Sequence, residues 1–286
     1  MQALKNPVFD EYRTAEYDSR LYSSDNVATG VESLNDVADE HVDYYRENGF
    51  LVVQKAFTRI EAREALAGLM DLIDGKSPDF TEVQFEQSVA ETLASSSLEN
   101  RRNSVRKIKD FVDFEPRLRV MSEKPEFLKI VARLLGSETE LFANQALIKP
   151  PRIGREKPWH QDHAFFNVPM GTPIVGCWIA LDRATFENGC MHVKPGTHVE
   201  GPKVHFKQRD WQICDAHLNL DRDVAVPLEP GGLLFFDGLM HHGTPANRTS
   251  RRRRAAQFHY VPEGTPRIED EERMAVFGSE GKNVTC

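Results

Sequence analysis

The chain has 286 residues, 40% hydrophobic and 28% charged, with a formal net charge of −8. That length can bury a sizeable core, as one large domain or two small ones. The acidic balance argues against nucleic acid as the main partner, and no apolar run is long enough to span a bilayer. The one basic block, Arg251-Arg252-Arg253-Arg254, reads for the most part as a solvated strand end. Cys177, Cys190, Cys214 and Cys286 show no Cys-x-x-Cys spacing, so free thiols in a reducing compartment are expected. Early acids (Asp10, Glu11, Glu16, Asp18) leave no apolar signal core, and a cytoplasmic location is the default expectation.

Residues 1–38 are polar and weakly periodic, which suits a mobile arm or a strap over the surface. A single domain is expected over residues 39–286, with helical cladding in 39–136 and a β core in 138–262. Val37 to Asn48 predicts a helix stopped by Gly49, and Phe50-Leu51-Val52-Val53 a short buried strand. Thr58-x-x-Glu61 is a capping box opening the next helix. Ala65, Leu66, Leu69 and Ile73 line one face of it, and Gly75 follows at the stop position. The polar span 76–104 predicts a long loop bordering the site, and Val105 to Phe111 an extended run. A helix after Pro125 places Phe127, Ile130, Val131 and Leu134 on one side and ends at Gly136.

Beyond Glu138 short extended runs alternate with Gly/Pro/Asn turns: Glu140–Ile148, Ile174–Leu181, Cys190–Val193, Val224–Leu228, Leu233–Asp237 and Arg252–Val261. Such spacing predicts a sandwich or barrel rather than a βαβ sheet. The fold class expected is therefore mainly β with flanking helices.

Within this half, Trp159-His160-Gln161-Asp162-His163 carries a histidine and a carboxylate two residues apart. On an extended segment both point to the same side. One more histidine would complete two histidines and a carboxylate on one face of a metal, the donor set of non-haem Fe(II) oxygenases. His241 and His242 follow the apolar strand Leu233-Leu234-Phe235-Phe236, and alternation allows only one of them to join. Gly243 would permit close backbone approach to a ligand. If Arg252 to Val261 is a strand, Arg253, Ala255, Gln257 and His259 share one face. An inward arginine there needs an anion, and a carboxylate suits a guanidinium fork. A structural Arg–Asp pair is the alternative.

The chain resembles the phytanoyl-CoA dioxygenase family of Fe(II)- and 2-oxoglutarate-dependent oxygenases over roughly residues 40–262. The resemblance is carried by Lys107-Ile-Lys-Asp-Phe111, His160-Gln-Asp162, Trp178-Ile-Ala-Leu-Asp182, Glu187-Asn-Gly-Cys190, Pro195-Gly-Thr-His198 and His242-Gly-Thr244-x-x-Asn247, with Arg253 eleven residues after His242. It implies a double-stranded β-helix (jelly roll, cupin-like) core. It implies His160, Asp162 and His242 as catalytic iron ligands. Arg253 and Thr244 would grip the distal carboxylate of the cosubstrate 2-oxoglutarate, with Lys107, Trp178 and Gln145 also at the cofactor site. Lys149 is an alternative to Lys107.

The implied activity is dioxygenase hydroxylation of an unactivated C–H bond in a small-molecule substrate. It uses Fe(II), 2-oxoglutarate and O2 and releases succinate and CO2. In halogenating relatives a small residue replaces the carboxylate ligand; Asp162 is present here, so hydroxylation is expected. A cupin-like metal-binding protein without turnover is the alternative, and a metal hydrolase or isomerase on a similar barrel a third reading. His163, Phe165, Phe166 and Asn167 are expected to line the substrate pocket. Residues Val199–Asp223, with His205, Lys207, Trp211 and His217, are expected to form a lid. The basic loop Arg152-Ile-Gly-Arg155-Glu-Lys157 hints at an anionic substrate, and Asn188-Gly189 marks a structural turn.

Overall fold

The computed structural model describes residues 7–12, 15–278 and 286. The chain opens with a two-residue strand β1 (Val8–Phe9) and reaches its first α-helix at α1 (Asp39–Asn48). Gly49, at φ 78°, takes the left-handed conformation that stops α1. β2 (Phe50–Val53) is buried along its length. α2 (Arg59–Ile73) starts at Thr58, where the reciprocal bonds between Thr58 and Glu61 cap the first turn. The span expected as loop instead holds β3 (Val83–Phe85) and a short helix α3 (Leu98–Arg102). Three residues carry no readable alternation, and β3 is a strand because it pairs with β4 (Val105–Lys109). α4 (Pro116–Ser122) and α5 (Pro125–Leu135) each begin with a proline, whose missing N–H is no loss in a first turn.

The second half is strands: β5 (Thr139–Lys149), β6 (Lys157–His160), β7 (Val175–Ala180), β8 (Met191–Val193), a hairpin of β9 (His205–Lys207) and β10 (Trp211–Ile213), β11 (Val224–Val226), β12 (Leu233–Asp237), β13 (His242–Thr244) and β14 (Arg253–Pro262), then α6 (Asp270–Phe277). Eight of the described strands, four from each half, form one sheet in the order β1-β3-β4-β5-β14-β7-β12-β2, and four form a second in the order β11-β8-β13-β6. Apart from β1 on β3, every named pairing is antiparallel. The two sheets make the mainly β jelly roll expected from the sequence.

Alternation explains the layers. Phe235 of β12 packs with the helices, among Leu69, Phe127 and Val131, while Leu234 and Phe236 pack with Met191, Val193 and Val226 of the second sheet. β12 reads as a continuous apolar run because both its faces are buried. Phe127 stacks on Phe235 with centroids 5.8 Å apart, locking α5 to the sheet. Each such buried side chain contributes about 1.5–3 kcal/mol.

The N-terminal segment lies against both sheets. β1 runs parallel to β3, and isolated bridges join Val27 to Ala225 and Val31 to Val53. The cysteines correct the sequence reading in part. Cys177 and Cys190 are free and buried, but Cys214 and Cys286 form a disulfide across 72 residues. No local spacing marks a pair that only folding brings together. The expectation of a cytoplasmic setting loses its cysteine argument with that bond.

Candidate metal centre and cavity

β6 and β13 are neighbours in the second sheet, with His160 opposite His242. Their rings lie 4.2 Å apart. Asp162 stands just past the strand end, at the start of a 3-10 turn over Asp162–Phe165, with Gln161 still extended before it. Gln161 consequently points the other way, where its amide reaches the Gly201 and Leu239 carbonyls and accepts from the Lys203 N–H. One donor atom each from His160, Asp162 and His242 lie within 4.8 Å of one another, all buried. His241, on the opposite side, stays out of this group; it is buried with Nε2 unpartnered.

The tautomers follow from the neighbours. His160 Nδ1 donates to the Pro158 carbonyl at 2.7 Å and His242 Nδ1 to the Met240 carbonyl at 2.9 Å, since a carbonyl can only accept. Each neutral ring then turns the lone pair of Nε2 toward Asp162 Oδ1, at 3.3 and 3.4 Å. Burial, then His242, pushes His160 down to about 4. Burial alone would raise Asp162, but the donors around it, the His259 and Gln257 N–H groups on Oδ2 among them, keep it well below the usual carboxylate range. Two imidazole lone pairs facing a carboxylate oxygen repel unless a cation stands between them, so this donor set fits a divalent metal.

Asp162 Oδ2 accepts from Gln257 Nε2 at 2.9 Å and His259 Nε2 at 2.7 Å. The sequence placed both side chains on the face of Arg253 but gave them no role. Gly243 brings the protein's own groups close: a Cβ there would lie 2.9 Å from the Tyr22 hydroxyl and 3.1 Å from the Lys157 carbonyl.

A cavity of about 510 Å³ joins this centre to Arg253, Thr244, Lys107 and Gln145. Arg253 is 2% exposed, and its Nη1 donates to the Leu147 carbonyl at 3.1 Å while Nε has no partner. Among the described residues no carboxylate pairs with it, and burial lowers it to about 10. Trp178 does not line the cavity. It lies between the sheets with its ring 5.3 Å from the Arg253 guanidinium, backing that side chain. Lys107 faces the cavity and is lowered to about 7 by burial, then by Lys109 and Lys157. Lys149 is engaged instead by the Arg155 carbonyl at 2.6 Å and the Thr244 carbonyl at 3.4 Å. Lys107 is thus the freer of the two lysines.

Elsewhere along the cavity wall the charges are paired. Arg155 contacts Asp10 at 2.6 Å and Asp210 at 2.9 Å; Arg106 pairs with Asp10 and Glu86, and Lys157 with Asp210. Arg155 and Lys157 of the basic loop expected to greet an anionic substrate are therefore neutralised from within, and Arg152 is exposed. Phe165 and Phe166 line the cavity as expected. His163 instead packs on Phe277, and Asn167 bonds Asp270 and Arg273. Of residues 199–223 only Asp210 lines the cavity. The β9–β10 hairpin braces the metal loop from behind, His205 Nε2 accepting from the Gln161 N–H.

Fold and centre together define a double-stranded β-helix with a two-histidine, one-carboxylate face. The family described as Phytanoyl-CoA dioxygenase (PhyH) matches residues 45–255. The chain belongs to that family, whose members are non-haem iron, 2-oxoglutarate-dependent enzymes. A "Probable phytanoyl-CoA dioxygenase" of Caenorhabditis elegans is 29% identical over 234 residues, covering 76% of this chain and 73% of the relative. "Phytanoyl-CoA dioxygenase, peroxisomal" of Rattus norvegicus is 29% identical over 278 residues, covering 91% and 77%. Among solved structures, the epimerase SnoN in complex with Fe3+, alpha ketoglutarate and nogalamycin RO superposes with a TM-score of 0.65 at 20% identity, over 81% of this chain and 86% of that one. The alpha ketoglutarate dependent carbocyclase SnoK gives 0.62 at 19% identity, over 84% and 90%. Among the described residues no helix is long and apolar enough to cross a membrane.

Proposed function

We propose that this chain is an Fe(II)/2-oxoglutarate-dependent dioxygenase that hydroxylates an unactivated C–H bond of a small molecule. The observation that carries the reading is one cavity holding both the His160–Asp162–His242 donor set and a buried guanidinium with no carboxylate of its own. His160, Asp162 and His242 would hold the metal; Arg253 and Thr244 would take the distal carboxylate of 2-oxoglutarate, with Lys107 the second cation and Gln145 on the adjoining wall. With iron bound, 2-oxoglutarate and O2 supply the oxidation, one oxygen atom going to substrate as hydroxyl and the other to succinate as CO2 is lost.

The chain's own residues bind and orient. The Met240 and Pro158 carbonyls fix which imidazole nitrogen faces inward. Trp178 holds the guanidinium plane. Phe165 and Phe166 give the cavity an apolar side that keeps water from the reacting C–H bond. The domain that carries this chemistry is residues 39–286, with the preceding residues as a strap that reaches the cavity wall through Asp10. The test is succinate release from 2-oxoglutarate with a panel of small molecules. Turnover should require both Fe(II) and O2. Metal-bound protein that consumes no 2-oxoglutarate with any of them would favour the cupin-like binding protein instead.

A further inference from the structure

The reading above leaves unexplained why β14 buries two polar side chains beside the centre. Gln257 and His259 are 1% and 0% exposed. The Gln257 Oε1 and His259 Nδ1 atoms have no partner among the described residues. Burying polar groups in this way is unfavourable unless some contact offsets it. Among the described residues, the hydrogen-bonding contacts of their inward nitrogens, apart from each other at 3.0 Å, are with Asp162 Oδ2. A carboxylate only accepts, so His259 carries its proton on Nε2, which leaves Nδ1 as a bare acceptor rather than an orphaned donor. The ring is held edge-on by Phe166, with centroids 4.7 Å apart, and by Phe236 at 6.3 Å. Both residues sit on the longest strand pairing of the large sheet, so their positions are set by the ladder.

Resting on the proposed oxygenase, we infer that Gln257 and His259 are positioning residues that confine Asp162 to a single metal-facing oxygen. They hold Oδ2 away from the two histidines, and only Oδ1 is presented, 3.3 and 3.4 Å from the imidazole nitrogens. The consequence is arithmetic. Three protein atoms on a six-coordinate ion leave room for a chelating keto acid and one further ligand. A carboxylate gripping through both oxygens would take one of those places. The pair therefore protects cosubstrate affinity as well as metal affinity.

The test uses Mn(II) as a probe that needs no turnover, and then 2-oxoglutarate binding to the Mn(II)-loaded protein. His259→Phe keeps an aromatic ring without the donor, Gln257→Met keeps length without the donor, and His259→Gln restores one. The two donor-less variants should bind Mn(II) roughly 10–100-fold more weakly. When loaded, they should bind 2-oxoglutarate more weakly as well. His259→Gln should recover most of both. If His259→Phe does not fold, Gln257→Met alone still decides. Wild-type protein that binds no Mn(II) overturns the oxygenase reading together with this inference. Wild-type binding of Mn(II) and 2-oxoglutarate matched by the donor-less variants overturns this inference alone.

Discussion

The cavity has two charged regions built on opposite rules. In one, Asp10, Glu86 and Asp210 neutralise Arg106, Arg155 and Lys157, and almost every charge has a partner. In the other, among the described residues, Arg253 is buried with no carboxylate beside it and Lys107 has no ion-pair partner. A buried network that closes on itself holds structure together. A buried cation left open is costly, and is kept where a ligand completes it. The basic loop near Arg155 looked functional in the sequence because its acids come from far away; the open cations Arg253 and Lys107 are the better candidates.

That contrast can be broken at either end. The largest effect is expected at the centre: Asp162→Ala should abolish succinate formation and metal uptake, while retained turnover with iron would remove Asp162 from the ligand set. In the paired region, Arg155→Ala takes one cation from Asp10 and one from Asp210, which keep Arg106 and Lys157, and should cost about 1.5–3 kcal/mol in denaturant unfolding. Its 2-oxoglutarate affinity should stay near wild type. Arg253→Ala should do the reverse. It should weaken 2-oxoglutarate by about 2–5 kcal/mol in calorimetric titration, yet leave the melting temperature equal or higher, since a lone buried charge is gone. If Arg253→Ala instead unfolds the protein and spares binding, the contrast is misplaced.

A smaller effect concerns pH. Lys107 is lowered to about 7 by its burial and its cationic neighbours. The free protein loses that ammonium as pH rises through 7, so 2-oxoglutarate affinity should fall by up to roughly tenfold per pH unit above it, until the bound form also deprotonates. Lys107→Met should bind weakly with a flatter profile. The sign for stability is opposite. Between about 7 and 10.5 the unfolded chain holds a proton on Lys107 that the folded chain lacks. This lysine is therefore destabilising in full below pH 7, and the penalty is relieved as pH rises. Thiol counting is the mildest probe: denatured, unreduced protein should titrate two thiols, Cys177 and Cys190, and four would refute the Cys214–Cys286 bond.

Much of the fold was legible because its signals are local. Gly49 and Gly136 end helices where a positive φ is needed, and Thr58 with Glu61 caps α2. The expected strand Leu233–Asp237 coincides with β12. What was not legible depends on partners remote in sequence. β3 is a strand only through pairing, the cysteine pair spans 72 residues, and Asp10 is neutralised by arginines nearly a hundred or more positions away. Trp178 was expected on the cavity wall, but sequence cannot tell a residue that lines a site from one that backs it. Gln257 and His259 were placed on the inward face by alternation alone. Adding the rule that buried polar side chains must have partners would have pointed to Asp162.

One strand carries a disproportionate share of all this. β14 is paired with β5 from Arg253 to Pro262, and its only irregularity falls between His259 and Tyr260, after the last inward functional residue. Arg253, Gln257 and His259 therefore ride on an unbroken pleat, with Ala256 and Phe258 facing the helices. A single-residue insertion between Arg253 and Gln257 would turn the amide and the imidazole away from the face that carries the guanidinium while driving their apolar neighbours inward. Length changes in this segment should thus be far less tolerated than substitutions, and any attempt to retune the catalyst is better made by exchanging side chains than by altering spacing.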